Sequence, residues 1–327
     1  MMDLLRSDES LTSWIKRLGA DDDRDIDIAL PSLDDLPAVL LDLAVPHEDI
    51  NELTVLRARV LRDPELWWLL ERCARVLVRE IGTVDRPFAL PVLPAELGAV
   101  GRYFYVFVFV AALPYIHAYH RERGVPPHIS RHTLADLGRQ MAVHRRRRGT
   151  GGLLTPGWLT FHFRGELYQL GRLQFERARV GVRTGRAIAA SGGPVGPGDP
   201  GLGVHIPDFR GPLTPTACAR SLALARAFFP RHFPDETYPV AACHSWLLDA
   251  QLREYLPADS NIVRFQDCFR PGYEETDPSD TEPIGFVFGD PDLPVEKLPR
   301  RTVLERAIAD HLLAGRHWYG GDGWLEM

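Results

Sequence analysis

The sequence has 327 residues, 45% of them hydrophobic and 25% charged, which is typical of a soluble globular protein with room for two buried cores. A formal net charge of -6 argues against a general nucleic-acid-binding protein, whose surface would be basic. Four widely spaced cysteines without a CxxC pair favour buried thiols in a reducing cytoplasm over a disulfide framework.

Neither the N-terminal segment nor the most apolar run predicts a secretory signal or a membrane span. MMDLLRSDESLTSW carries acidic residues where a secretory signal would have an apolar core. The run from Tyr103 to Ile116 is shorter than the roughly 20 residues that span a membrane, and Pro114 interrupts it. We therefore expect a cytoplasmic protein with no membrane partner, and a buried helix at this run.

The first 150 residues predict helices. Residues 63–82 (DPELWWLLERCARVLVREIG) have apolar residues at helical spacing, with Asp63 suited to an N-cap and Pro64 to the first turn. Residues 94–124 are apolar nearly all round the middle of their predicted helix, which is typical of the central helix of a bundle. Residues 132–149 end in four arginines and Gly149, which favours a helix C-terminus there.

After Gly151 the periodicity changes to that of strands. Residues 158–180 alternate apolar and polar side chains around Arg164-Gly165-Glu166, which predicts a hairpin with its turn at those three residues. The later segments divide into predicted strands, at 204–206, 240–248, 261–269 and 283–288, and predicted helices, after Thr214 and at 249–256 and 302–315. The fold class is therefore α+β, with a helical domain over residues 1–150 and a mixed α/β domain over residues 151–327.

A pyrophosphate-loop pattern, R-x-x-G-x-G, occurs at Arg146, Gly149 and Gly151. Such a loop leaves a strand and enters a helix, so that backbone N–H groups point at the phosphates. Here a predicted helix precedes the glycines and a predicted strand follows them. This context favours a plain helix C-cap with a solvated basic end.

The stretch GVHIPDFRGPLTPTACARSLALARAFF, from Gly203, has the context that the arginine run lacks. A short strand ends at Pro207, Gly211 permits a tight turn, and Thr214 with Pro215 begins a helix. The first turn of that helix would present N–H groups at the end of the strand, with Arg210 and Arg220 near. From the residues alone, a phosphate site and an ordinary turn between strand and helix are equally compatible with this pattern.

Three segments follow the helical first half: WLTFHFRGELYQLGRLQFER, the stretch from Gly203, and CHSWLLDAQLREYLPADSNIVRFQ. Together with that first half, they resemble the actinobacterial two-domain GNAT-like acyltransferases. In these proteins an N-acyltransferase N-terminal domain precedes a GNAT-like C-terminal domain with a central twisted sheet. The resemblance covers most of the chain and is strongest from Trp158 to Phe269. It implies that acetyl-CoA or another acyl-CoA is a co-substrate.

The resemblance also implies where CoA binds. GVHIP resembles the fourth GNAT strand, VAACHSWLL the fifth, and the acyl thioester would sit where these two strands separate. The turn RGPLT departs from the usual Q/R-x-x-G-x-G/A pattern, although it follows the strand in the same way. The implied CoA-binding residues are Ile206, Arg210, Gly211, Leu213, Thr214, Thr216 and Arg220.

Four residues are candidates for chemistry. Histidine changes charge near neutral pH, so His205, on the strand beside the thioester, is a candidate base, or else a buried hydrogen-bonded histidine. Glu176 either faces the cleft or forms a cross-strand ion pair with Arg172 or Arg177. His244 and Tyr255 are further candidates. Tyr255 is one because many GNAT enzymes place a tyrosine that acts as the general acid after the fifth strand.

Other chemistry is less favoured by the sequence. Cys243 and His244 are neighbours on a predicted strand, so their side chains point apart and cannot form a nucleophilic dyad with each other. His117, His120, His128 and His132 form a histidine-rich patch without an acidic third ligand, so we predict no metal.

We expect an N-acyltransferase, and more specifically an N-acetyltransferase, that acts by direct transfer to a small-molecule amine and uses no metal. The acidic loop from Glu274 to Glu282 is compatible with a cationic acceptor, although a solvated loop explains it equally. The alternatives are a non-catalytic ligand-binding or scaffold protein on a degenerate GNAT fold, and a Cys/His hydrolase.

Overall fold

The computed structural model describes residue 5 and residues 9–19, 25–84, 90–153 and 155–327. The chain divides into two compact units, Met1–Tyr168 and Gln169–Met327. The first is helical and the second combines a mixed sheet with helices, so the α+β fold class is confirmed.

Up to residue 166, the described part of the first unit is formed by α-helices and the short segments that connect them. These helices are α1 (Glu9–Gly19), α2 (Leu36–Asp42), α3 (His47–Arg62), α4 (Pro64–Arg79), α5 (Gly98–Glu122), α6 (Pro127–Leu134), α7 (Asp136–Arg148) and α8 (Pro156–Phe163).

The predicted helix signals at α4 and α5 are confirmed. Asp63 caps α4, because its Oδ1 accepts hydrogen bonds from the backbone N–H groups of Glu65 at 3.0 Å and Leu66 at 3.2 Å. α5 is the central helix of the unit, with every residue from Tyr103 to Leu113 buried. It is apolar and long enough to cross a membrane, but two thirds of its most apolar 18-residue segment is buried inside the protein.

The arginine-rich end of α7 is a helix C-cap, as predicted. Gly149 adopts a left-handed conformation (φ 67°), and its N–H donates to the carbonyl of Arg145 at 2.9 Å. Gly151 lies against the hydroxyl of Tyr103 and the carboxylate of Asp49, where a Cβ atom would collide with both. These glycines therefore serve a turn and a close packing contact.

The predicted strand at residues 158–163 is wrong, because this segment is helix α8. Pro156 occupies the first turn, and Leu159 and Phe163, four residues apart, are both fully buried. A run of six residues with alternating polarity is too short to distinguish the two-residue period of a strand from the 3.6-residue period of a helix. The hairpin instead joins β1 (Leu167–Leu170) to β2 (Leu173–Arg179) through Gly171, which has a φ of 74°.

The second unit contains one six-stranded sheet. Its remaining strands are β3 (Pro200–His205), β4 (Val240–Ser245), β5 (Arg270–Pro271) and β6 (Gly321–Glu326), in the order β1-β2-β3-β4-β6-β5. Its helices are α9 (Val182–Ala190), α10 (Pro215–His232), α11 (Asn261–Gln266), α12 (Thr281–Phe288) and α13 (Val303–Leu313).

Two further predicted strands are helices, and two strands, β5 and β6, were not predicted. Residues 261–266 form α11, since the Ser260 hydroxyl accepts from the Val263 N–H at 3.3 Å and caps the segment. The run at 283–288 lies in α12, which ends at Gly289 in a left-handed conformation (φ 89°). The C-terminal residues 321–326 form β6, which pairs with the whole of β4.

The sheet has a helix against each face. On one face Ile188 of α9 packs with Val240 and Trp324. On the other, the guanidinium of Arg177 lies 4.2 Å from the ring centroid of Phe233, at the C-terminal end of α10.

Candidate active site

The site begins where β3 and β4 separate. The two strands pair in parallel at Leu202 with Ala241 and at Gly203 with Ala242, yet they continue to His205 and Ser245. Each remains paired on its outer side, β3 with β2 and β4 with β6. Beyond Gly203 and Ala242 the two inner edges therefore diverge, as the resemblance to GNAT enzymes implies.

Glu176 and His205 form a pair on one face of the sheet. The direct partners across β2 and β3 are Glu176 with Gly203 and Gln174 with His205, so the two side chains are diagonal neighbours. His205 Nε2 lies 2.7 Å from Glu176 Oε2. The His205 side chain is 31% exposed and that of Glu176 17%, so the pair is partly desolvated yet open to a ligand.

The predicted ion pair of Glu176 with Arg172 or Arg177 is not the arrangement that the structure shows. Arg177 Nε donates to Glu236 Oε2 at 2.9 Å, and Arg172 donates to two backbone carbonyls. Because neither arginine pairs with the carboxylate of Glu176, that carboxylate contacts the imidazole of His205.

His244, on β4, lies on the same face of the sheet as Glu176 and His205 and belongs to a second cluster of side chains. Its ring stacks on Tyr273 with centroids 6.1 Å apart, and the Arg183 guanidinium covers that tyrosine at 4.0 Å. Asp322 is the direct cross-strand partner of His244. The Asp322 carboxylate accepts from Thr184 Oγ1 at 3.1 Å, and burial raises its pKa.

The loop after β3 has the turn geometry that the sequence predicts. Gly211 is exposed with a φ of 78°, and the Thr214 hydroxyl caps α10 by accepting from the Ala217 N–H at 3.2 Å. Arg172, on the hairpin, holds the loop through Nε to the Gly211 carbonyl at 2.7 Å and Nη1 to the Pro207 carbonyl at 3.1 Å.

The other predicted CoA-binding residues lie along the same loop and helix. Thr216 and Arg220 are exposed and one turn apart on α10, whereas Leu213 is buried and Ile206 and Arg210 are half-buried. Arg210 Nη2 is 3.4 Å from the Gly171 carbonyl, which places its guanidinium beside the hairpin.

Two family models cover most of the chain. The N-acyltransferase N-terminal domain matches residues 34–165, and the GNAT-like C-terminal domain matches residues 167–325. The chain belongs to this two-domain acyltransferase family.

Solved structures of acyltransferases are similar over nearly the whole chain. One in complex with decanoyl-CoA is 40% identical, covers 99% of this chain and 98% of its own, and has a TM-score of 0.89. One with decanoyl-CoA and teicoplanin is 38% identical, with 98% and 97% coverage and a TM-score of 0.88. An acyltransferase mutant with octanoyl-CoA is also 38% identical, with 98% and 96% coverage and a TM-score of 0.88. A comparison with curated proteins finds no match.

The predicted function is confirmed at this level: the chain is an acyl-CoA-dependent N-acyltransferase. Its co-substrate is an acyl-CoA, and acceptance of a small molecule is consistent with the teicoplanin complex of its relative.

The remaining candidate residues of this acyltransferase lie outside the Glu176–His205 pair. Tyr255 follows a short 3-10 helix, and its hydroxyl is 3.0 Å from His311 Nδ1 in a cluster with Trp318. Cys243 is 1% exposed, and burial raises its pKa to about 12, so the thiol is protonated at neutral pH. Among the described residues, no group of three or more His, Cys, Asp or Glu could hold a metal ion.

Sequence reasoning missed the roles of Arg172, Gly203, Tyr273 and Asp322. Gly203 was visible only as part of a strand, and Asp322 lies in a terminal segment with no strand pattern. Each of these residues meets the site through a partner distant in sequence, so only the three-dimensional structure identifies them.

Proposed function

We propose that this acyltransferase moves its acyl group directly from acyl-CoA to an amine, with His205 as the base and Glu176 as the group that orients the imidazole. The amine nitrogen attacks the thioester carbonyl, the C–S bond breaks, an amide forms and CoA leaves as the thiolate. His205 takes the proton that the amine loses. The 2.7 Å contact between Glu176 and His205, at the point where β3 and β4 diverge, carries the proposal.

We place the CoA diphosphate at the loop after β3 and the start of α10. Gly211, in its left-handed conformation, and the capped helix start are features that phosphate sites use. Ile206, Arg210, Gly211, Leu213, Thr214, Thr216 and Arg220 are the proposed contacts. His244 and Tyr255 stay predictions for substrate contact or for proton donation to the leaving thiolate.

The acyl group and the acceptor are the finer parts of the proposal. The prediction of acetyl-CoA stays open to test, but the octanoyl-CoA and decanoyl-CoA complexes of the relatives favour a medium-chain acyl group. The teicoplanin complex makes teicoplanin the first acceptor to try. The cytoplasmic location and the absence of nucleic-acid and membrane partners stay predictions.

The deciding experiment measures thiol release and amide formation with teicoplanin and a series from acetyl-CoA to decanoyl-CoA. We expect faster turnover with the longer chains, and loss of turnover in His205→Ala by about 100-fold or more with CoA binding retained. His128→Ala, at an exposed histidine on α6, is the matched control. CoA binding without turnover on any amine would favour the ligand-binding alternative, and equal rates in His205→Ala would remove this base from the mechanism.

A further inference from the structure

The helical unit contains a cavity of about 620 Å³. It is bounded by residues 29–31, by α2 and the residue after it, by the second half of α5 and by α6. All of the residues that line it belong to the first unit, so it is a feature of that unit alone. Its volume falls within the range of about 300–1,000 Å³ that small-molecule sites occupy.

The inner wall of the cavity is apolar. Leu43, Val110, Leu113 and Leu134 line it and are buried in the unit. Such a wall favours an aliphatic or aromatic ligand, because each methylene that enters it leaves water.

Polar side chains also line the cavity, among them His120 and Ser130. His120 is 1% exposed, and its Nδ1 is 2.8 Å from Ser130 Oγ. Its Nε2 is buried and has no hydrogen-bond partner in the described part of the chain.

The rim of the cavity is cationic. Arg121, Arg131 and Asp42 are exposed there, and Arg131 Nε lies 3.8 Å from Asp42 Oδ1. That contact neutralises one arginine. Among the described residues no salt bridge or side-chain hydrogen bond engages the guanidinium of Arg121, which is therefore available to an anion at the mouth.

We propose that this cavity is a second ligand site of the acyltransferase, and that it binds the anion of a free fatty acid. The aliphatic chain lies along the apolar wall and the carboxylate meets Arg121 at the rim. This site is separate from the acyl-transfer site of the second unit and does not require that unit's chemistry.

The first test is calorimetric titration of the full-length protein with hexanoate, octanoate, decanoate and decanol. Affinity is expected to rise about fourfold for each added methylene until the wall is filled, since a buried methylene is worth about 0.8 kcal/mol. Decanoate is expected to bind about tenfold or more tightly than decanol, because only the carboxylate makes a charge-assisted contact. No saturable binding of any of these carboxylates would overturn the proposal.

Two variants place the ligand in the cavity. Ala29→Trp puts a large side chain into the cavity from an exposed position on its lining and is expected to abolish decanoate binding. Val55→Trp, at a side chain 74% exposed on α3, is the matched control. Arg121→Gln is expected to weaken decanoate by about tenfold and to leave decanol unchanged. Arg123→Gln, two residues on and outside the cavity, is expected to leave both unchanged.

A third comparison separates this site from the transferase site. Decanoate binding is expected to survive saturation with CoA and to be the same in His205→Ala as in the wild type. The opposite result would be that CoA or His205→Ala abolishes decanoate binding while the Ala29→Trp variant still binds decanoate. That result would assign the fatty acid to the acyl-transfer site and overturn the proposal. Since these readouts measure binding and not turnover, they remain valid even if the proposed base is wrong.

Discussion

His205 Nε2 and Glu176 Oε2 lie 2.7 Å apart although the two residues are not direct partners across β2 and β3. Gly203 stands opposite Glu176, and its lack of a side chain leaves room for the carboxylate to reach diagonally to the imidazole. A carboxylate in this position fixes the orientation of the ring and stabilises the charge that the ring gains when it accepts a proton. The diagonal contact therefore makes Glu176 a positioning residue for the proposed base.

Glu176→Gln tests that role. The amide keeps the shape but loses the negative charge, so kcat is expected to fall by up to about 100-fold while KM for acyl-CoA stays nearly unchanged. Glu176→Asp keeps the charge and is expected to recover part of the lost rate. Steady-state kinetics with varied acyl-CoA separates the two constants, and Glu296→Gln, at an exposed glutamate of the same unit, serves as a control for a lost acidic charge. A parallel rise in KM in both Glu176 variants would instead indicate a role in binding.

Gly203→Ala tests the space between the two side chains. A Cβ atom at this position would lie 3.2 Å from Glu176 Oε2 and 3.2 Å from His205 Nε2, closer than ordinary contact. One of the two groups must move by a few tenths of an ångström, so kcat is expected to fall by about tenfold with little change in the thermal midpoint. Gly196→Ala, where the nearest atom is Asp199 Oδ2 at 3.8 Å, is the control. An unchanged kcat would show that the geometry of the pair does not limit the reaction.

The sequence predicted the helical unit and the β3–loop–α10 region better than the rest of the sheet. Asp63, Thr214 and Gly149 act through their own neighbours, so their local signals were sufficient. The segments 158–163 and 283–288 are short and apolar, and at that length helical and strand periods are not distinguishable. β6 has no alternation of its own and is a strand because it pairs with β4.

The candidate site shows the same difference between residues with a local sequence signal and contacts that depend on long-range pairing. His205 and Glu176 were identifiable as residue types on strands, but their contact depends on a register that joins positions 29 residues apart. The brace from Arg172 to the loop at Gly211 spans 39 residues and has no local sequence signal.

Arg172→Met tests whether that brace shapes the CoA site. The substitution removes the hydrogen bonds to the Gly211 and Pro207 carbonyls, so the loop loses its attachment to the hairpin. We expect the Kd for CoA to rise by about tenfold, since two charge-assisted contacts orient the loop. Arg226→Met, which removes a similar contact from α10 to the Glu326 carbonyl, is the control. If titration gives the same Kd in Arg172→Met and the wild type, CoA binds elsewhere or the loop holds its shape unaided.

Acid is expected to destabilise the helical unit through His120. Burial, with a smaller effect of His117, lowers the pKa of this imidazole to about 3, against about 6.5 in an unfolded chain. Between these values the unfolded chain binds a proton that the folded unit does not. The free energy of unfolding therefore falls as the pH drops below about 6.5, by at most about 1.4 kcal/mol per pH unit from this group, and the loss levels off near pH 3.

The measurement compares the thermal midpoint of the wild type with that of His120→Gln between pH 7.5 and pH 4.5. Other groups also titrate in this range, including His144, whose pKa burial lowers too, so the difference between the two proteins is the informative quantity. The variant is expected to be less stable at pH 7.5 but to lose less stability on acidification, so that the gap narrows as the pH falls. His128→Gln, at an exposed histidine, is expected to keep the slope of the wild type. Parallel curves for His120→Gln and the wild type would mean that the buried imidazole gains its proton without opening the unit.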